Sequence, residues 1–408
     1  MDYFLNFSVL QRNRNFRLLY FGQFISFIGT MITSVALPYQ VYHETNSILS
    51  VGLLSLFQLL PLLVTALVGG VLADRHHRRT LLLVAESLLA LGCLLLTLNA
   101  FTSTHNTRVI FMVAIAMSAV NGLHRPALDS ITQQLVEKRD FQMVSALSTL
   151  KVSVGMIAGP AIGGLIIAQF GLVTTFIIDF FSFLVSLIAI FMIHNIPKPE
   201  TIRDESTWAA LKQGLHYAVT RQELLGTYCI DFVAMVFGMP MALFPAIAQF
   251  HGGAKTLGLL YSAPAVGALL ISLASGWTKQ IKRHGLAIAI AASLWGIAII
   301  CFGLASNLWL ALFCLSLAGA FNAVSRIFRH TMWNEIISNQ FRGRLAGIEM
   351  ISYLSGPKLG DTEASLVAAA FGITASVVSG GFLCIVSVAI CYYLLPKFRH
   401  YKARITIH

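Results

Sequence analysis

Asp231 lies inside the apolar run GTYCIDFVAMVFGMPMALFPA, and Glu349 stands in GRLAGIEMISYLSGPKLGD. Arg125, Lys151, Arg326, Arg329 and Lys358 are cations in comparably apolar surroundings. An ionisable group at the centre of a bilayer costs about 2.5–3.5 kcal/mol on insertion scales, so each is a functional candidate by default if these runs cross a membrane. Asp231 falls roughly two turns into its helix. A carboxylate there can hold a proton in apolar surroundings, or release it beside a cation such as Arg326. A group that switches between those states is what proton coupling requires. The position assigns that role to Asp231 first and to Glu349 second. A static ion pair that orients two helices is the alternative.

What must position these groups is a set of membrane helices. The chain has 408 residues, 57% of them hydrophobic and 11% charged, with a mean hydropathy of +0.76. Soluble domains carry about 25% charged residues, so lipid rather than water must cover much of this surface. A spanning helix needs about 20 apolar residues. Twelve segments qualify: 15–42, 49–74, 79–101, 107–134, 141–170, 171–194, 223–250, 255–278, 285–305, 307–337, 340–370 and 373–395. The tight breaks QFGLV and ASNLW mark hairpins. Of the 28 lysines and arginines, 21 fall in the termini and loops of one side, five lie within segments, and Arg108 and Lys255 alone mark the other side. The positive-inside rule then places both termini in the cytoplasm. The net charge of +11 reads as topology, not as a nucleic-acid footprint. The six cysteines lie in apolar stretches without CxxC spacing, and the histidines form no cluster, so no metal site or cofactor is expected. No Walker loop appears, which argues against ATP as the energy source.

The longest polar stretch, near 194–223, contains an amphipathic segment from Trp208 to Val219 that suits a membrane surface. It divides the chain into an N-terminal six-helix bundle (1–196), a cytoplasmic linker (197–222) and a C-terminal six-helix bundle (223–408). NGLHRPALDSITQQLVEKRD, from Asn121, aligns with NAVSRIFRHTMWNEIISNQF, from Asn322, pairing Arg125 with Arg326. With matched helix counts, this suggests a duplicated bundle, as in transporters built from parallel repeats.

The turn GGVLADRHHRRTLL resembles the signature of the major facilitator superfamily. Gly70, Leu72, Asp74, Arg75, Arg78, Arg79 and Leu82 fall on its fixed positions, and His77 stands where a small residue is usual. The resemblance covers the whole chain and implies an all-α integral membrane fold of twelve helices. It also implies that Asp74 latches the cytoplasmic side, with Gly70 allowing close helix approach. A solvated basic loop serving topology alone is the alternative. The second-half turn, GWTKQIKRHG, has Gln280 in place of the acid. GMIAGPAIGG resembles the G-x-x-x-G-P-x-x-G-G motif of the superfamily's proton-linked exporters. Gly155, Gly159 and Gly163 share one helix face with Gly164 beside them, and Pro160 invites a bend. The bland reading is an ordinary small-residue seam. SGPKLGD repeats Gly-Pro-x-x-Gly as Gly356, Pro357 and Gly360, with Lys358 and Asp361 inserted, which suggests a charged outer gate. Together these stretches look like the subgroup containing the enterobactin exporters and related drug-efflux proteins.

The resemblance places Gln23, Arg125 (beside His124), Asp231, Arg326 and Arg329 on cavity-lining helices, and Lys151 and Glu349 on flanking ones. Gln23, Ser26, Thr30 and Ser34 would form a polar cavity stripe. Glu86 and Asp179 fall on peripheral helices and read as structural, and Asp129 reads as a partner of the basic turn. Cavity cations outnumber acids, and arginine pairs well with carboxylates and phosphates. The expectation is therefore a proton-driven antiporter exporting a small anionic or polyoxygenated molecule, such as a siderophore or drug. It would sit as a multi-pass protein in a bacterial-type inner membrane, with protons, the lipid bilayer and the small molecule as partners. The fold is compatible with a monomer. Uptake and lipid flipping are the alternatives within transport. A non-transporting sensor is the rival class, and it would be expected to append a signalling domain. No pocketed nucleophile–base pair suggests an enzyme.

Overall fold

The computed structural model describes residues 8–75, 77–102, 106–194, 207–337 and 342–402. Within its helices, the side chains of 70–75, 207–211, 214, 279, 342–344 and 346–348 lie outside that description. The described chain is helical: α1 (Ser8–Arg12), α2 (Arg14–Thr45), α3 (Ile48–Arg75), α4 (Arg78–Phe101), α5 (Thr107–Leu135), α6 (Phe141–Phe191), α7 (Thr207–Thr220), α8 (Gln222–Phe237), α9 (Phe244–Gln249), α10 (Ala254–Leu273), α11 (His284–Gly303), α12 (Leu308–Ile336), α13 (Arg342–Phe371), α14 (Ile373–Leu394) and α15 (Pro396–Arg399).

Ten of the described helices are long and apolar enough to cross a membrane. One of these stretches, Lys138–Phe191, is 54 residues long. Gly171, at φ 77° and ψ 179°, interrupts the helix at the expected QFGLV hairpin. A side chain strongly disfavours that backbone conformation, so glycine makes the corner. α13 is 30 residues long but carries six charged residues. Large apolar side chains such as Leu60, Leu98, Phe181, Ile188 and Phe313 point outward, as lipid contact requires.

The internal repeat reaches further than the aligned segment. The offset of 201 that pairs Arg125 with Arg326 also pairs Asn106 with Asn307 and Gly171 with Gly372. Asn106 caps α5 by accepting from the Arg108 N–H at 3.0 Å, and Asn307 caps α12 by accepting from the Leu310 N–H at 2.9 Å. Gly372 ends α13 at φ 91° as Gly171 ends the first half of α6. The two sequence halves thus start and stop corresponding helices with the same chemistry.

The chain divides into two compact units. The first holds Met1–Asn46, Phe57–Arg203 and Gly252–Ser262; the second holds Ser47–Leu56, Asp204–His251 and Ala263–His408. In the first, α2 lies along α6, and α4 packs on α5 and α6. In the second, α11 packs on α12 and α14, and α8 packs on α13 and α14.

Two details differ from the sequence reading. The segment expected to run unbroken over 223–250 stops at Phe237. Gly238-Met239-Pro240 breaks it, and only short helical pieces follow to Gln249, because proline cannot continue the hydrogen-bond ladder. The helix expected over 255–278 ends at Leu273 and is followed by a 3-10 stretch, Ser275–Gln280.

The C-terminal helix α15 is tied down. Phe398 is 0% exposed and fills the gap left by two glycines; a Cβ on Gly226 of α8 would strike its ring, and one on Gly285 of α11 its carbonyl oxygen. Tyr401 donates to Glu335 Oε2 at 2.5 Å, and Arg399 lies over the Tyr392 and Tyr393 rings. Emptying a buried aromatic site costs about 3–5 kcal/mol. A Phe398→Ala protein should therefore melt well below the parent in a thermal unfolding scan of purified protein. An unchanged transition would show that the tail contributes nothing.

Candidate functional site

In the second unit, the sequence candidate Asp231 pairs with Arg329. Both residues are buried, at 8% and 4% exposure. The partner is thus Arg329 rather than the expected Arg326. Arg326, one turn earlier on α12, is exposed. Glu349 of α13 stands within electrostatic range of Arg329 and of Tyr228. Tyr228 stacks on Trp333 with ring centroids 5.2 Å apart, and Trp333 Nε1 donates to Thr227 Oγ1 at 2.7 Å. The ion pair is therefore held between α8 and α12 beside an aromatic wall.

Burying two charges costs several kcal/mol apiece unless they meet in good geometry, and removing one partner costs about 3–5 kcal/mol. A pair placed that deeply is either a fixed brace or a group whose charge changes during function. Both sequence readings of Asp231 are compatible with this geometry.

The first unit contains a second polar core. Glu86 of α4 is 0% exposed. It accepts from Gln23 Nε2 at 2.6 Å and Ser26 Oγ at 3.4 Å, and His124 Nε2 lies 2.9 Å from its Oε1. Gln23 also donates to Ser186 at 2.9 Å. Asp179, likewise 0% exposed, accepts from Thr33, from Ser182 Oγ at 3.0 Å and from Cys93 Sγ at 3.2 Å. The expected cavity stripe on α2 is thus largely used inside the unit. Gln23 and Ser26 are buried against Glu86, while Thr30 and Ser34 bond only to carbonyls of their own helix. Sequence reasoning treated Glu86 and Asp179 as peripheral. The available signal was a set of intramembrane acids on α4 and α6 with hydroxyl and amide residues on α2.

Arg125 is exposed on α5, one turn before Asp129, which is also exposed. Asp129 has Arg125, Lys151 and His124 within electrostatic range. Of that turn, the side chains of Gly70, Asp74 and Arg75 lie outside the described residues. Arg78 is half-buried at the start of α4. Arg79 donates to the carbonyls of Ile190 at 3.1 Å and Phe191 at 2.6 Å, capping the end of α6. A cation at the carboxyl end of a helix also favours its dipole.

The glycine motif faces neighbouring helices. A Cβ on Gly155 would meet the Phe27 ring, one on Gly159 would meet Met31, and one on Gly163 the backbone of Ile32. Gly164 instead abuts the backbone of Ala254 and Gly258 at the start of α10, and Gly258 in turn meets the Pro160 carbonyl. The second copy is built alike. Gly356 and Gly360 of α13 lie against Met235 and Val236 of α8, with Pro357 between them. Asp361 accepts from Ser55 Oγ at 2.8 Å and from the Ala242 N–H at 2.9 Å, with half-buried Lys358 one turn before it. Asp361 thus fastens α13 to the first turns of α3 and to the chain just after the Gly-Met-Pro break.

Helices of this length, with charges buried among them and an apolar outer face, make an all-helical bundle suited to a membrane. Solved structures agree on the fold. The chain superposes on a POT family transporter in complex with 5-aminolevulinic acid, with a TM-score of 0.76 and 13% identity over 95% of this chain and 97% of that one. It also superposes on the nucleoside transporter NupG, with a TM-score of 0.76 and 11% identity over 93% and 99% of the two chains. The family model for transmembrane secretion effectors, a branch of the major facilitator superfamily, matches residues 6–405, and the chain belongs to that family. Its curated relatives include the enterobactin exporter EntS of Escherichia coli K12, 26% identical over 402 residues (98% of this chain and 96% of that one). The enterobactin exporter EntS of Shigella boydii serotype 18 is 28% identical over 409 residues (99% and 98%).

Proposed function

We propose that the protein is a proton-coupled antiporter that exports a small anionic or polyoxygenated molecule, a siderophore foremost, by alternating access in a bacterial inner membrane. The observation that carries this reading is the buried Asp231–Arg329 pair with Glu349 nearby, an ionisable centre inside a bundle of membrane-spanning helices. An acid that can trade an arginine for a proton supplies the coupling.

Twelve spans follow if Gly171 divides α6 and α13 crosses as well. With the basic residues gathered on one side, both termini are then cytoplasmic. In this orientation Asp361 and Ser55 stand near the outer surface, where they would serve as a gate, and the basic turn at 75–79 stands inside. The names of the curated relatives support export and point to catecholate siderophores as the first substrates to try.

Arg125 and Lys151 are the cations of the first unit proposed to meet an anionic substrate. A charge-assisted hydrogen bond lost from such a site costs about 1.5–3 kcal/mol, or roughly tenfold or more in affinity. Cells expressing an Arg125→Ala protein should export enterobactin at least about tenfold more slowly than the parent at limiting concentration. Unimpaired export would remove Arg125 from the substrate site.

A further inference from the structure

We propose that Glu86 is a second proton-binding site, located in the first unit and loaded through His124. The inference deepens the proton coupling proposed above, adding an acid on α4 to Asp231 on α8. It rests on the way Glu86 is enclosed. Gln23 and Ser26 reach it from α2 and His124 from α5; Ser186 of α6 engages the same Gln23 amide. Asp179 of α6 lies within electrostatic range, and Cys93, on the same helix as Glu86, is turned to Asp179.

Among the described residues, the basic group bonded to Glu86 is thus an imidazole, whose charge comes and goes with a single proton. The pair therefore holds one exchangeable proton as a unit, either as a neutral acid beside neutral imidazole or as carboxylate beside imidazolium. Asp179 has a different shell: among the described residues, hydroxyls and a thiol bond to it and no imidazole does.

The geometry also supplies a route. The Glu86 side chain is fully buried, while that of His124 is 15% exposed. His124 lies next to exposed Arg125 and within electrostatic range of exposed Asp129. A proton taken up at one ring nitrogen from that accessible patch lets the other ring nitrogen pass its proton to Glu86 Oε1. One proton enters and one is delivered, and the reverse order unloads the site.

The test reads protonation directly, with no substrate present, so it stands or fails separately from the transport reading. Purified full-length protein in phosphatidylcholine vesicles is titrated from acidic to alkaline pH. Infrared difference spectra follow the carbonyl stretch of protonated carboxylic acids. Glu86→Gln should lose one titrating component, whereas Asp179→Asn should retain it. His124→Gln leaves Glu86 in place and should move the midpoint of that component by about one pH unit or more, a tenfold change in proton affinity. Melting scans establish that each variant is folded, and the His124 variant decides the matter if Glu86→Gln does not fold. A spectrum unchanged in Glu86→Gln, or a midpoint unmoved in His124→Gln, would overturn the proposal.

Discussion

An Asp231→Asn protein is expected to lose proton-driven export altogether while still exchanging substrate across the membrane when no proton gradient is applied. The asparagine keeps the shape of the side chain but cannot release a proton. It also leaves Arg329 buried without its counter-ion, which costs about 3–5 kcal/mol. The melting temperature should therefore fall together with coupling, and the two effects can be separated. Exchanging the pair, Asp231→Arg with Arg329→Asp, restores a buried ion pair. If the pair is only a brace, the exchanged protein should regain both stability and driven export. If Asp231 carries the proton, stability returns and driven export does not, because the carboxylate then sits on α12 beside a different set of neighbours. Arg329→Met serves as a third variant: it removes the cation and leaves Asp231 in place.

The second large effect is expected at the glycine seam of α6, and it should be graded. Gly164→Ala drives a methyl into the backbone at Ala254 and Gly258, which cannot turn aside. Gly258→Ala meets the Pro160 carbonyl in the same way. Each should cost about 1–3 kcal/mol of packing and reduce export severalfold. Gly155→Ala meets the Phe27 ring, a side chain that can rotate, and should be milder. Melting temperatures of the three purified variants, ranked, check the order. Equal tolerance at all three positions would mean that the motif does not set helix spacing. In lipid, where apolar burial no longer drives helices together, such close backbone approach is a main source of association.

These two sites show what a linear reading can and cannot reach. The glycine spacing, the hairpin at Gly171 and the alignment of Arg125 with Arg326 all depend on local pattern, and the structure extends that repeat to Asn106/Asn307 and Gly171/Gly372. Asp231 was legible as an acid in an apolar run, but its partner was misread by one turn of α12. Spacing along a helix does not say which side faces a neighbour. The Glu86 network was less legible still. Its members lie on α2, α4, α5 and α6, and Gln23 is separated by 63 residues from Glu86 and by 163 from Ser186. A polar stripe on α2 has the same sequence whether it faces water or another helix's carboxylate. The Gly-Met-Pro break after α8 was visible as glycine and proline but was absorbed into an apolar run long enough to span.

Inside-out membrane vesicles carrying the protein, given an imposed proton gradient with the interior acidic, test the central claim most directly. Proton-coupled export predicts that enterobactin accumulates inside these vesicles and that collapsing the gradient with a protonophore releases it, with no accumulation in Asp231→Asn vesicles. Accumulation that survives the protonophore, or that proceeds undiminished in the Asp231→Asn protein, would contradict it.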